Sequence, residues 1–108
     1  MPNEISLTVR LPSELNLQLQ SVAKELGMTK TALIRSAIHD FLIKDDVVLD
    51  FSSVAGKKDR LVLNINQITY NILENTCKKN DQSMNAVIIA VCYLALERSA
   101  KWLQSAKQ

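Results

Sequence analysis

The sequence predicts a mainly α-helical chain with one short β-ribbon, in the order β-α-α-linker-β-α-α. Two observations lead to this. Apolar residues alternate with period two in two short stretches, and each stretch is followed by two segments of helical period. Glycine and proline number only two each in 108 residues, too few for the many tight turns of an all-β sandwich. Hydrophobic residues make up 47% and charged residues 22%, a globular balance that excludes wholesale disorder. The length allows one modest domain, or two very small units that complete each other's core.

The first strand is read from Ile5, Leu7, Val9 and Leu11, which alternate with Ser6, Thr8 and Arg10. Pro12-Ser13-Glu14 reads as a helix start with Ser13 as its cap, and Leu15, Leu19, Val22, Ala23 and Leu26 follow at helical spacing. Gly27 should end that helix. Thr29 should cap the next, over residues 30–43, whose apolar face is Leu33, Ile34, Ala37, Ile38, Phe41 and Leu42.

The same order returns fifty-four positions later. Arg60, Val62 and Asn64 fall where Ser6, Thr8 and Arg10 stood, with Leu61, Leu63 and Ile65 on the apolar face. Ile68, Ile72, Leu73, Thr76 and Cys77 supply another first helix, Asn80-Asp81-Gln82-Ser83 a break, and Met84 onward a helix capped by Ser83. This points to a tandem arrangement: a first copy at 1–43, a linker at 44–59, and a second copy with a helical extension at 60–108, the two forming one compact domain. In the linker, Val47, Val48, Leu49 and Phe51 are too apolar for a free tether and should pack on a helix, beside Ser52 and Ser53. The run 87–96 is apolar nearly all round and should be the centre of the core. Leu96, Ala100, Leu103 and Lys107 continue a stripe flanked by Trp102.

Other chemistry is sparse. Cys77 and Cys92 show no zinc spacing and read as reduced core residues. His39 has no companion ligand or nucleophile and reads as a surface residue. Asp45, Asp46 and Asp50 match no calcium loop. No catalytic residue, metal site, cofactor or small-molecule substrate is expected, so the chain is not expected to be an enzyme. The start Met-Pro-Asn-Glu lacks a signal-peptide pattern, and Ala86–Ala95 is too short to span a bilayer, so no membrane partner and a cytoplasmic location are expected.

A lone strand must pair, and the two strands can pair with each other, which puts both apolar faces over the helices and both polar faces outside. Polar residues on an outer strand face are ordinarily just solvated. Here, however, Ser6-Leu7-Thr8-Val9-Arg10-Leu11-Pro12 followed by Gly27-Met28-Thr29-Lys30-Thr31-Ala32-Leu33-Ile34-Arg35-Ser36-Ala37-Ile38 resembles the ribbon-helix-helix family of DNA-binding proteins, which includes the Arc and MetJ repressors. The resemblance covers about forty residues strongly, and the rest through pattern. It implies a tandem ribbon-helix-helix chain, an intramolecular pseudo-dimer, whose ribbon enters the major groove of double-stranded DNA.

By the same resemblance Ser6, Thr8, Arg10, Arg60, Val62 and Asn64 are the base-contacting residues. Arginine can bond guanine, asparagine can bond adenine, and threonine or valine methyls can touch a thymine methyl. Thr29, Lys30, Thr31, Ser83 and Asn85, at the starts of the second helices, become phosphate contacts. Arg35, where the second half has Ile89, reads as structural.

The net charge of +2 does not itself indicate DNA, although the second half is the more basic: eight basic against four acidic residues, compared with five against seven in the first. The expected function is a transcriptional regulator or repressor acting as a monomer on a non-palindromic element. The alternatives are an architectural accessory protein of a plasmid-transfer relaxosome, an antitoxin, or a protein-interaction module. Association with further copies of itself on adjacent sites stays open.

Overall fold

The computed structural model describes residues 4–44, 47–51 and 56–106. Asp45, Asp46, Ser52, Ser53 and Lys107, singled out above, lie outside the described residues. The elements are β1 (Ile5–Pro12), α1 (Ser13–Glu25), α2 (Lys30–Leu42), β2 (Lys58–Ile65), α3 (Gln67–Asn80) and α4 (Met84–Ala106). The two strands form an antiparallel sheet in which Ile5 faces Ile65, Leu7 faces Leu63 and Val9 faces Leu61. β2 therefore begins at Lys58, inside the segment read as linker.

Each element ends for a local reason. Pro12 closes β1 and enters α1 with φ −51°, its ring presetting the dihedral that the turn needs. Ser13 is not the cap. It is the first helical residue, and its amide donates to the Lys57 carbonyl at 2.9 Å, so β2's approach satisfies an end that no side chain caps. α1 closes with Gly27 at φ +73°, the Met28 amide donating to Ala23 O at 2.9 Å and the Gly27 amide to Lys24 O at 3.1 Å. α3 closes with the same pair of bonds, from Gln82 to Cys77 O and from Asp81 to Lys78 O, but places Asp81 in the left-handed region at φ +53°.

The core is a single cluster. Val9, Leu11, Leu63 and Ile65 from the ribbon meet Leu15 and Leu19 of α1, Leu33, Ile34 and Ile38 of α2, Leu73 of α3, and Val87, Ile88 and Val91 of α4. α4 touches all three other helices and β1, which explains why it is apolar around most of its circumference. Its last turns pack too: Arg98 pairs with Asp40 and lies between the rings of Phe41 and Trp102, 5.1 and 4.5 Å from their centroids. Val47, Leu49 and Phe51 are half-buried, with Phe51 against the core, while Val48 is 89% exposed. Both cysteines are free, and burial pushes the Cys92 thiol up to about 12. No helix among the described residues is long and apolar enough to cross a membrane.

Three further expectations are corrected. The tandem ribbon-helix-helix duplication, an intramolecular pseudo-dimer, is not what the chain builds: the described residues form a mainly helical domain of four helices and one short two-stranded sheet, with unlike halves. α2 has 13 residues and α4 has 23. The attachments of the two halves to the sheet also use different chemistry, as described below. Recurrence of periods 2 and 3.6 shows that strand and helices recur, but amphipathic elements on one core acquire those periods without being copies.

The phase of α3 also shifts. Ile68, assigned to its apolar face, is 65% exposed, and the buried residues are Thr69 and Leu73. Thr69 can be buried because its hydroxyl donates to Asn66 Oδ1 at 3.0 Å and its amide to the same oxygen at 2.9 Å. His39, read as a surface residue, is half-buried, with Nε2 2.7 Å from Thr69 Oγ1. With the Thr69 proton committed to Asn66, Nε2 is the donor.

Asp81 pays a left-handed penalty that glycine would not, and its charge opposes the negative end of the α3 dipole. Asp81→Gly should therefore raise unfolding stability by about 1 kcal/mol, read from urea denaturation. A loss of stability would mean that the aspartate makes a favourable contact that outweighs both effects.

Candidate nucleic-acid interface

Alternation fixes which side chains leave the core. Ser6, Thr8 and Arg10 on β1 and Arg60, Val62 and Asn64 on β2 are all exposed, on the face opposite the helices. The antiparallel register sets them in three rungs, Ser6 beside Asn64, Thr8 beside Val62, and Arg10 beside Arg60. The Ser6 hydroxyl donates to Asn64 Oδ1 at 2.7 Å, so that rung is internally bonded. Val62 is 48% exposed on a sheet face that otherwise carries polar groups. The side chains of Arg10 and Arg60 make no hydrogen bond or ion pair among the described residues. Lys58, two positions before Arg60 and exposed on the same side, extends the face; period two alone, carried back from Arg60, would have found it.

Two side chains hold the later helices to this ribbon. Asn85, at the start of α4, accepts from the Arg10 amide at 2.8 Å and donates to the Arg10 carbonyl at 3.1 Å. Arg35, on α2, donates from Nη1 to the Asn64 carbonyl at 3.2 Å, the structural role read from sequence. One attachment is a side-chain amide gripping β1 and the other a guanidinium gripping β2. A twofold axis through the middle rung would exchange Arg10 with Asn64 and Ser6 with Arg60, and the side chains do not obey it.

A third tie exists on one side only. The Ser13 hydroxyl donates to Asp59 Oδ1 at 2.8 Å, the Asn16 amide to Asp59 Oδ2 at 2.9 Å, and Lys30 Nζ to Asn16 Oδ1 at 2.6 Å. The Asn16 and Ser13 bonds, helped by nearby Lys57 and Lys30, hold the Asp59 carboxyl below its ordinary range. The short sequence separations that guide motif reading gave no signal of a bond from residue 59 back to 13 and 16.

The expected phosphate contacts divide. Thr29 caps α2, its Oγ1 accepting from the Ala32 amide at 3.1 Å and lying 3.3 Å from Thr31 Oγ1. Ser83 caps α4 by accepting from the Ala86 amide at 3.1 Å. Both hydroxyls are exposed and retain acceptor and donor capacity. Lys30 is half-buried and gives one of its three donors to Asn16. Asn85 is committed to the ribbon backbone. At the far end of the ribbon, an open cavity of about 550 Å³ is lined by Glu4, Arg35, His39, Asn64, Asn66 and Thr69 among others.

Among the described residues no group of three or more His, Cys, Asp or Glu side chains is gathered to hold a metal ion. Compared with known proteins, the chain matches no family model, no curated protein and no solved structure.

Two outcomes test these roles. Asn85→Ala should cost about 0.5–1.5 kcal/mol of stability, because it removes two exposed bonds to the Arg10 backbone that water replaces only in part; unchanged melting would return Asn85 to the set of pure phosphate ligands. For Asp59, whose folded pKa is depressed, the tie is present above the unfolded carboxylate value of about 3.9 and is lost as pH falls through the folded value. Asp59→Ala should therefore melt below wild type at pH 7, with the gap closing as both are titrated toward pH 3. A gap independent of pH would show that the charge is not what matters there.

Proposed function

We propose that the chain binds double-stranded DNA sequence-specifically, placing the β1-β2 ribbon in the major groove, and that it acts as a transcriptional regulator or repressor in the cytoplasm. The observation that carries this reading is the outer face of the ribbon. It has three exposed rungs of chemically mixed side chains on a two-stranded element whose other face packs on the helices. A two-stranded ribbon fits the major groove, which is about 12 Å wide. There, arginine can take both acceptors of guanine, asparagine can pair with adenine, and the methyls of Thr8 and Val62, side by side, can meet a thymine methyl. An exposed valine flanked by polar residues has little reason to be there in water and a clear one against a methyl group.

The resemblance of residues 6–12 and 27–38 to the ribbon-helix-helix family supports the same use of the ribbon. In this reading the starts of α2 and α4 approach phosphates, where first-turn amides lack intrahelical partners. Thr29, Thr31 and Ser83 supply hydroxyls, Lys30 supplies its remaining donors, and Asn85 works through its hold on Arg10. Both strands come from one chain, so a single chain supplies the whole ribbon.

The test is selection from random duplexes followed by a salt titration of binding. A consensus should emerge, with affinity falling as salt rises. Arg10→Ala should relax the preference at one base pair, and Lys30→Ala should weaken all duplexes alike. Failure to enrich any duplex, or binding indifferent to salt, would sink the proposal.

A further inference from the structure

The register places Arg10 directly across from Arg60, two like charges on neighbouring strands with Cβ atoms about 5 Å apart. Such a pair opposes strand pairing, and nothing among the described residues neutralises either side chain. Asp59, the adjacent carboxylate, is turned toward the helices and held by Ser13 and Asn16. Lys58 adds a third cation to the same end of the face. The other end is different in kind: Ser6 and Asn64 are neutral and bonded to each other, and Glu4 lies in the cavity just beyond. The outer face thus runs from three cations to a neutral rung and a carboxylate within the length of one ribbon.

Resting on the DNA-binding reading above, we infer that the ribbon is polar. Its Arg10-Arg60 end is a paired guanine reader, and its Ser6-Asn64 end takes an A·T step. Guanine is the base that presents two acceptors, O6 and N7, to the major groove, and each guanidinium can fill both. Two arginines projecting from adjacent strands serve two guanines on neighbouring base pairs, and the acceptors relieve the repulsion that the free protein tolerates. The Ser6 hydroxyl, donating to Asn64 Oδ1, turns the amide so that its Nδ2 faces away from serine, and the rung offers Nδ2 as donor to adenine N7 and the serine oxygen as acceptor for the adenine N6 amino group, which guanine lacks. The preferred element is consequently directional, with guanines at one end and A·T at the other. The chain binds it in one orientation.

The experiment selects a duplex with the full-length chain, then replaces each guanine in turn by 7-deazaguanine, which lacks the N7 acceptor. Sensitive guanines should cluster at one end of the selected element, each substitution costing about 5- to 150-fold in affinity. Arg10→Ala and Arg60→Ala should each lose a similar factor on the natural duplex, and each should become indifferent to 7-deazaguanine at one position. Both variants should melt no lower than wild type, since each removes a like charge, so a fall in affinity cannot be blamed on unfolding. Asn64→Ala should relax preference only at the opposite end.

Sensitive guanines at both ends, a palindromic consensus, or arginine variants that weaken every duplex equally would overturn the polarity and leave DNA binding standing. Absence of any enriched duplex would overturn the DNA-binding reading itself.

Discussion

Everything in this fold depends on one pairing: a strand at residues 5–12 whose ladder partner, residues 58–65, is distant in the sequence. Neither could persist alone, because a short unpaired strand leaves donors and acceptors that the core cannot cover. Once they pair, register is not free. Shifting either strand by one residue would turn Val9, Leu11, Leu63 and Ile65 out of the core, each worth roughly 1.5–3 kcal/mol when buried, and bring arginines in. Val9 and Leu11 fix the phase of β1, and Leu63 and Ile65 that of β2, so the arrangement of the outer face follows from what the inner face must bury.

The ribbon is then held where it is by unlike clamps. Asn85 grips both polar atoms of the Arg10 backbone, Arg35 reaches the Asn64 carbonyl, and Asp59 joins β2 to Ser13 and Asn16 on α1. Each clamp uses the main chain or the inward side of the strands, so the outward side chains of the three rungs are spared. A side chain that reads another molecule works best from a backbone that does not move, and these ties provide one on both strands. They also explain why Asn85 belongs to the architecture: its oxygen and one of its two amide protons hold the Arg10 backbone.

The alternation of strands and helices was legible because burial on one face writes period two into a strand and period 3.6 into a helix. The six outward residues were legible for the same reason. The structure departs from the sequence reading where local pattern and long-range partners disagree. Ile68 fits a helical stripe yet is exposed, whereas Thr69, polar and unremarkable in sequence, is buried because Asn66 and His39 complete its hydrogen bonds. Similarity of pattern at an offset of fifty-four suggested two copies of one unit, but periodicity registers only which face is wet. The Asn85 and Arg35 clamps, and the one-sided Ser13-Asp59-Asn16-Lys30 chain, depend on contacts between residues distant in sequence, which no spacing rule anticipates.

A modest net charge of +2 does not count against a nucleic-acid partner, because it bears on total charge and not on its placement. Non-specific affinity grows with the number of phosphates neutralised, so a strongly basic surface gains affinity for every sequence alike. Here the basic groups of the ribbon are concentrated at one end of one face, and most other charges are balanced elsewhere. Such a distribution contributes little to indiscriminate binding while concentrating donors where base edges would lie. Discrimination is the difference between the right site and all others. A surface with few cations, two of them opposed across a strand pair, holds its strongest unmet electrostatic need at the rung where sequence would be read.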